Sequence, residues 1–172
     1  SVYCNDVRDL DIKSLGPIDA FAYGFPCNSF SHVGEHQGLE NDKFGQLYTY
    51  GVEVLNYHQP KWFLAENVSG IRSAGAGSHF RIILDDLANA GYKLVTNMYK
   101  FEEYGVPQTR HRIIIVGIRN DLDAQGITFK VPSPEPYRNC DISSRTALAN
   151  IPNDALNNEI RKLQDKIRER LS

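Results

Sequence analysis

The sequence predicts a layered α/β domain. Three observations carry that reading. Short apolar runs of strand length fall at 18–25, 62–68 and 111–118. Apolar residues recur at helical spacing in the segments between them. Runs and helical segments alternate along the chain, as they do where helices pack on a sheet. The 172 residues suffice for one domain with its own core and are too few for two of ordinary size.

Ile18 to Phe25 (IDAFAYGF) follows Gly16-Pro17 and ends at Pro26, which suits a buried strand running into a loop that begins with Cys27. Asn28 to Gly45 is polar and without period, a loop. Leu47, Tyr50, Val54 and Leu55 then mark a helix that His58-Gln59-Pro60 ends. Trp62 to Val68 reads as a second strand, finishing on the polar pair Glu66 and Asn67. Ser78 is the expected cap of a helix with Phe80, Ile83, Leu84 and Leu87 on one face and Gly91 as its stop. Lys93 to Phe101 reads as a third strand, and His111 to Ile118 as a fourth, Ile/Val-rich and suited to a sheet centre. Beyond Asp121 prolines punctuate an irregular segment, until Leu156, Ile160, Leu163, Ile167 and Leu171 mark a final amphipathic helix. We divide the single domain into a core, 1–121, and this trailing part, 122–172.

Composition narrows the possibilities. Hydrophobic residues at 41% and charged residues at 23% describe a globular chain and not a disordered one. No apolar run approaches the roughly 20 residues of a membrane span. Three scattered cysteines make no disulfide framework and no CxxC pair, and the five histidines lack ligand spacing. A reducing cytoplasm or nucleus, without zinc, is the expectation. A formal charge of −2 is unlike that of a stand-alone nucleic-acid binder, so any grip on a polyanion must come largely from elsewhere.

Three short patterns carry chemistry: Phe25-Pro26-Cys27-Asn28-Ser29-Phe30-Ser31 after the first strand, Glu66-Asn67-Val68 closing the second, and Gln108-Thr109-Arg110-His111-Arg112 opening the last. Each has a bland reading. A lone cysteine is most often a small buried hydrophobe, a strand-end glutamate a salt-bridge partner, and an RxR pair two surface charges. In this order and spacing they resemble the PCQ-type loop, the ENV tripeptide and the QxRxR motif of the DNA cytosine-C5 methyltransferases. The resemblance runs from Tyr3 to Asp121, with Asp6-Val7 in the place of an acidic motif and Gly45-Gln46-Leu47 near the start of a helix motif.

The resemblance implies a Rossmann-like sheet of the S-adenosylmethionine-dependent methyltransferases, with helices on both faces and incomplete at its N-terminal side. It implies methyl transfer from S-adenosylmethionine to C5 of cytosine in double-stranded DNA. Cys27 is then the nucleophile that adds to C6. Glu66 is the hydrogen-bond donor near N3, in a water-poor pocket. Arg110 and Arg112, two apart on a strand, share a face and reach the base or its phosphate. Asp6, Val7, Pro26 and Leu47 are the implied cofactor residues, and Pro26, Asn28, Ser31 and Asn67 the implied substrate residues. Because the reacting atoms lie inside the base stack, the cytosine must be flipped out.

Several family features are missing or altered. No FxGxG cofactor loop precedes Asp6, and Gly75-Ala76-Gly77 does not replace it. No region for reading bases is present. Asn28 stands where Gln is usual, and Phe44 where Arg is common. The expectation is therefore a fragment or subunit whose missing segments, or a second polypeptide, supply the rest. The alternatives are a tRNA cytosine methyltransferase of the same family and a non-catalytic accessory subunit.

Overall fold

A computed structural model describes Cys4 and residues 6–26, 47–73 and 77–151. Cys27, Asn28, Ser31, Phe44, the loop 28–45 and the expected C-terminal helix lie outside the described residues.

Among the described residues, four strands form one sheet in the order β1-β2-β4-β3: β1 is Ala20–Gly24, β2 Trp62–Val68, β3 Tyr92–Lys100 and β4 His111–Arg119. β1 and β2 are parallel, connected across helix α1, Leu47–His58. β4 inserts between β2 and β3, antiparallel to both. The parallel pair and the crossover helix are what the alternating pattern predicts; the antiparallel placement of β4 is legible only in three dimensions. The strand expected at 18–25 is trimmed at both ends, and Phe101 leaves the third strand to open a 3-10 turn, Phe101–Tyr104.

Strand alternation divides the sheet into two unlike faces. On one, Phe63, Ala65, Ile113 and Ile115 are at most 1% exposed and pack against Leu55 of α1 and Ile83 and Leu87 of α2, Ser78–Asn89. Among the described residues both long helices lie on this face. The other carries Ala20, Ala22, Trp62, Leu64, Glu66, Arg112, Ile114 and Ile118; Trp62 is 44% exposed.

Two glycines let the layers approach. A Cβ at Gly51 of α1 would fall 2.3 Å from the Tyr23 ring, and one at Gly117 of β4 would fall 2.0 Å from the Phe63 ring. At the start of α2 the structure corrects the expected cap. Gly77, at φ 86°, is the N-cap and Ser78 is the first helical residue. The left-handed backbone that enters the helix suits a residue without a Cβ, so the cap falls one position earlier. Gly91, at φ 99°, ends the helix as expected.

Candidate active site

Because β1 and β2 run parallel and β4 runs against them, the C-terminal ends of the first two and the N-terminal end of the third share one rim. Pro26, Glu66, Asn67, Arg110 and Arg112 all fall there. Glu66 and Arg112 project from the face the helices do not cover. Arg112 Nε lies 2.7 Å from Glu66 Oε1, with side-chain exposures of 19% and 39%. The bland fate considered for Glu66, a salt bridge at a strand end, and its place in the motif are thus realised together: its partner is the arginine of the third motif. The carboxyl is open to solvent and not enclosed in the water-poor pocket that the sequence led us to expect. Gly24 is its register neighbour on β1, and a Cβ there would stand 3.4 Å from Glu66 Oε2. The glycine keeps that oxygen accessible from the β1 side.

Arg112 is also tied to its own strand, donating from Nη1 to the His111 carbonyl at 2.8 Å. Arg110 precedes β4 and is exposed; its carbonyl accepts from the Phe101 N–H at 3.0 Å, and its side chain pairs with no described residue. The structure therefore joins one arginine of the pair to Glu66 and leaves the other at the rim.

Asn67 takes a different role from the expected contact with substrate. Alternation places it on the helix-covered face, 3% exposed. Its Nδ2 donates to the Phe25 carbonyl at 3.0 Å, and its Oδ1 accepts from the Val68 N–H at 2.8 Å. Both ends of the amide are used internally, as a buried polar group requires. The bond reaches the residue just before Pro26, so Asn67 fastens the exit of β1 to the end of β2.

The expected cofactor residues gather at the outer side of β1. Val7, Pro26 and Leu47 line an apolar cavity of about 270 Å³ together with Phe21, Tyr23 and Tyr50. Asp6 adjoins it as the cap of the 3-10 turn Val7–Asp9. The Arg8 guanidinium, 2.6 Å away, and the Arg8 backbone N–H hold the Asp6 carboxyl well below the usual carboxylate range. The cavity is smaller than the roughly 300–1,000 Å³ of a complete small-molecule site. Its size and aromatic walls fit a heterocyclic ring rather than a whole cofactor.

Sequence reasoning missed two features of the rim. Tyr23 runs between Phe21 and Phe25, at centroid distances of 4.8 and 5.8 Å, and its buried hydroxyl has no partner among the described residues. A tyrosine in an apolar run gives no signal of this. Glu102 and His111 meet at 2.6 Å from opposite ends of the β3–β4 connection. The His111 bond holds the Glu102 carboxyl below its ordinary value. Among the described residues, no cluster of three or more metal-ligating side chains exists and no helix is long and apolar enough to cross a membrane.

Comparison with known proteins gives the family. Residues 1–172 match the family model described as C-5 cytosine-specific DNA methylase. The chain is 56% identical to the Type II methyltransferase M.BbvI of Brevibacillus brevis over 182 residues, 100% of this chain and 46% of that protein. It is 36% identical to the Type II methyltransferase M.NgoFVII of Neisseria gonorrhoeae, over 94% of this chain and 46% of that one. The chain thus spans about half the length of these curated relatives. Among solved structures it superposes on a prophage-encoded protein of E. coli described as a DNA modification methyltransferase. The TM-score is 0.64 at 25% identity, covering 87% of this chain and 41% of that one. The fold also matches the DNMT2 of Spodoptera frugiperda, with a TM-score of 0.51 at 22% identity over 73% of this chain and 38% of the other.

Proposed function

Because the chain belongs to the C-5 cytosine-specific DNA methylase family, we propose that it supplies the catalytic rim of an enzyme that methylates C5 of cytosine in double-stranded DNA. The observation that carries this reading is the pairing of Glu66 with Arg112 at the same rim as Pro26, one residue before Cys27. Three segments distant in sequence converge on one small surface.

Cys27 is the nucleophile. Its thiolate forms a bond to C6, and the C5–C6 electron pair moves towards C5 while charge builds towards N3. Glu66, oriented by Arg112, takes the N3 edge through Oε2, the oxygen that Gly24 leaves accessible. Arg110, free at the rim, is placed for a phosphate of the flipped nucleotide. After C5 is methylated and its proton is lost to a base, the C6–sulfur bond breaks, and 5-methylcytosine and the Cys27 thiolate are released.

S-adenosylmethionine supplies the methyl group when bound. Val7, Pro26 and Leu47, which line the apolar cavity beside β1, and Asp6, which caps the adjoining turn, would hold its adenine. The rest of that site, an FxGxG loop, and the region that reads bases come from other segments or from a second polypeptide. The bacterial sources of the relatives favour a cytoplasmic setting.

The test is a trapping experiment with a duplex containing 5-fluorocytosine and S-adenosylmethionine. The fluorine blocks loss of the C5 substituent and so holds the covalent intermediate. Intact mass should show a protein–DNA adduct, absent from Cys27→Ala, when the chain is completed by the segments its relatives carry. No adduct from a folded, DNA-bound, completed protein would overturn the proposal.

A further inference from the structure

We infer that Glu102 and His111 are positioning residues that set Arg112 against Glu66, an inference that rests on the function proposed above. The links are continuous. Glu102 Oε1 and His111 Nε2 meet at 2.6 Å. The carbonyl of the same His111 accepts from Arg112 Nη1 at 2.8 Å. Arg112 Nε then reaches Glu66 Oε1 at 2.7 Å. One carboxylate in a loop is connected through the His111 imidazole, the His111 peptide group and the Arg112 guanidinium to the carboxyl at the rim.

The connection has a structural purpose at this place. Residues 102–110 make an excursion between β3 and β4, and Arg110, Gln108 and Val106 on it are exposed. Its base is closed by the Phe101 N–H to Arg110 carbonyl bond. Beyond it His111 opens β4 opposite Lys100, and its carbonyl is the acceptor that Arg112 Nη1 uses. Anchoring the imidazole to Glu102 adds a side-chain tether at this first ladder position, where the strand meets the loop, and so limits how far that carbonyl can turn.

Glu102 differs from an ordinary surface partner. Its side chain is 22% exposed, and its second oxygen, Oε2, is shielded from solvent with no partner among the described residues. Its neighbour Glu103, by contrast, is 48% exposed and pairs with Lys100 at 3.1 Å. Glu103 is therefore the natural control.

The test reads Arg112 directly. In the ¹⁵N-labelled chain, the Arg112 Nε–Hε resonance is assigned by its disappearance in Arg112→Lys. His111→Ala and Glu102→Ala should each shift or broaden it. Glu103→Ala should leave it in place, and His111→Gln, whose amide can still donate to Glu102, should restore it. An unmoved resonance in folded His111→Ala and Glu102→Ala overturns the inference. If either alanine variant fails to fold, His111→Gln against His111→Leu decides, since both fill the site and only one donates.

Trapping with 5-fluorocytosine in the completed protein is the second readout. Both alanine variants should lose roughly tenfold or more in the rate of adduct formation at saturating DNA, the scale expected when a reacting group is misplaced from a distance. DNA affinity should be unchanged. Variants that trap as fast as the parent overturn the inference. A parent that never traps overturns the proposed function, and the resonance still decides whether Glu102 and His111 hold Arg112.

Discussion

Glu66 and Arg112 face each other across the β2–β4 ladder, Nε to Oε1 at 2.7 Å, two register positions apart and on the sheet face away from the helices. Neither residue is deeply buried, so their contact contributes little to holding the fold. Its value lies in orientation: a guanidinium with two of its nitrogens engaged, one by the carboxyl and one by the His111 carbonyl, has little freedom left.

Arg112→Lys should therefore separate chemistry from stability. A lysine keeps the charge but cannot make both contacts, so adduct formation should fall on the order of 100-fold. The urea midpoint should move by the equivalent of about 1 kcal/mol or less, since the charge is kept and Glu66, at 39% exposed, stays in reach of water. Parallel trapping and urea titrations check both, and unchanged trapping would remove Arg112 from the site.

Asn67→Ala should behave in the opposite way. It strands the buried Phe25 carbonyl and removes the partner of the part-buried Val68 N–H, at a cost of about 1–3 kcal/mol. Urea unfolding should report that loss. Hydrogen exchange should show faster opening at the end of β1, where the bond now fastens Phe25. Protection equal to the parent there would mean that the bond does not hold the strand exit.

Gly51→Ala should be destabilising by about 1–3 kcal/mol, because the new methyl has no room beside the Tyr23 ring. Tyr23→Leu in the same chain should recover part of that loss. Tyr23→Phe alone should be neutral or stabilising, since it deletes a buried hydroxyl with no described partner. Additive losses in the Gly51 and Tyr23 double variant would show that the two do not touch.

Alkaline pH should destabilise the fold through Tyr92. Burial pushes its phenol from the ordinary 10.0 up to about 12, and its hydroxyl donates to the Pro60 carbonyl at 2.8 Å. The unfolded chain ionises first, so the folded state retains the proton. The stabilising contribution is complete below pH 10.0 and is lost as pH rises through about 12. Urea midpoints measured from pH 8 to 11 should fall less steeply in Tyr92→Phe than in the parent, and identical slopes would exclude Tyr92 as the cause.

Much of this architecture was legible in the residues. The apolar runs give the strands to within two residues at each end, and the three motifs name Pro26, Glu66 and Arg112, which the structure brings to one rim. The burial of Asn67 was less accessible. Its neighbours in sequence argue for a functional place, and only the phase of alternation along β2 reveals that it faces inward. The contact between Glu66 and Arg112 depends on β4 entering the sheet reversed, which no local pattern encodes. Glu102 was unmarked for the same reason: its partner stands nine positions away across a loop, with no helical or strand period linking them. Ser78 gives a misleading signal because serine is a common cap, whereas the positive φ that selects Gly77 is a property of the incoming loop.

The ladders beside β4 also decide where this chain can change length. Sliding β4 by one position against β2 would turn Arg112 towards the helices and offer His111 and Ile113 to Glu66, dismantling the rim and the core at one stroke. A single-residue insertion inside β2 or β4 is therefore forbidden. The same insertion at the exposed tip of the β3–β4 connection, near Val106, leaves both registers untouched. Variation in length among proteins built this way should collect at such tips, with the strands between them invariant in length.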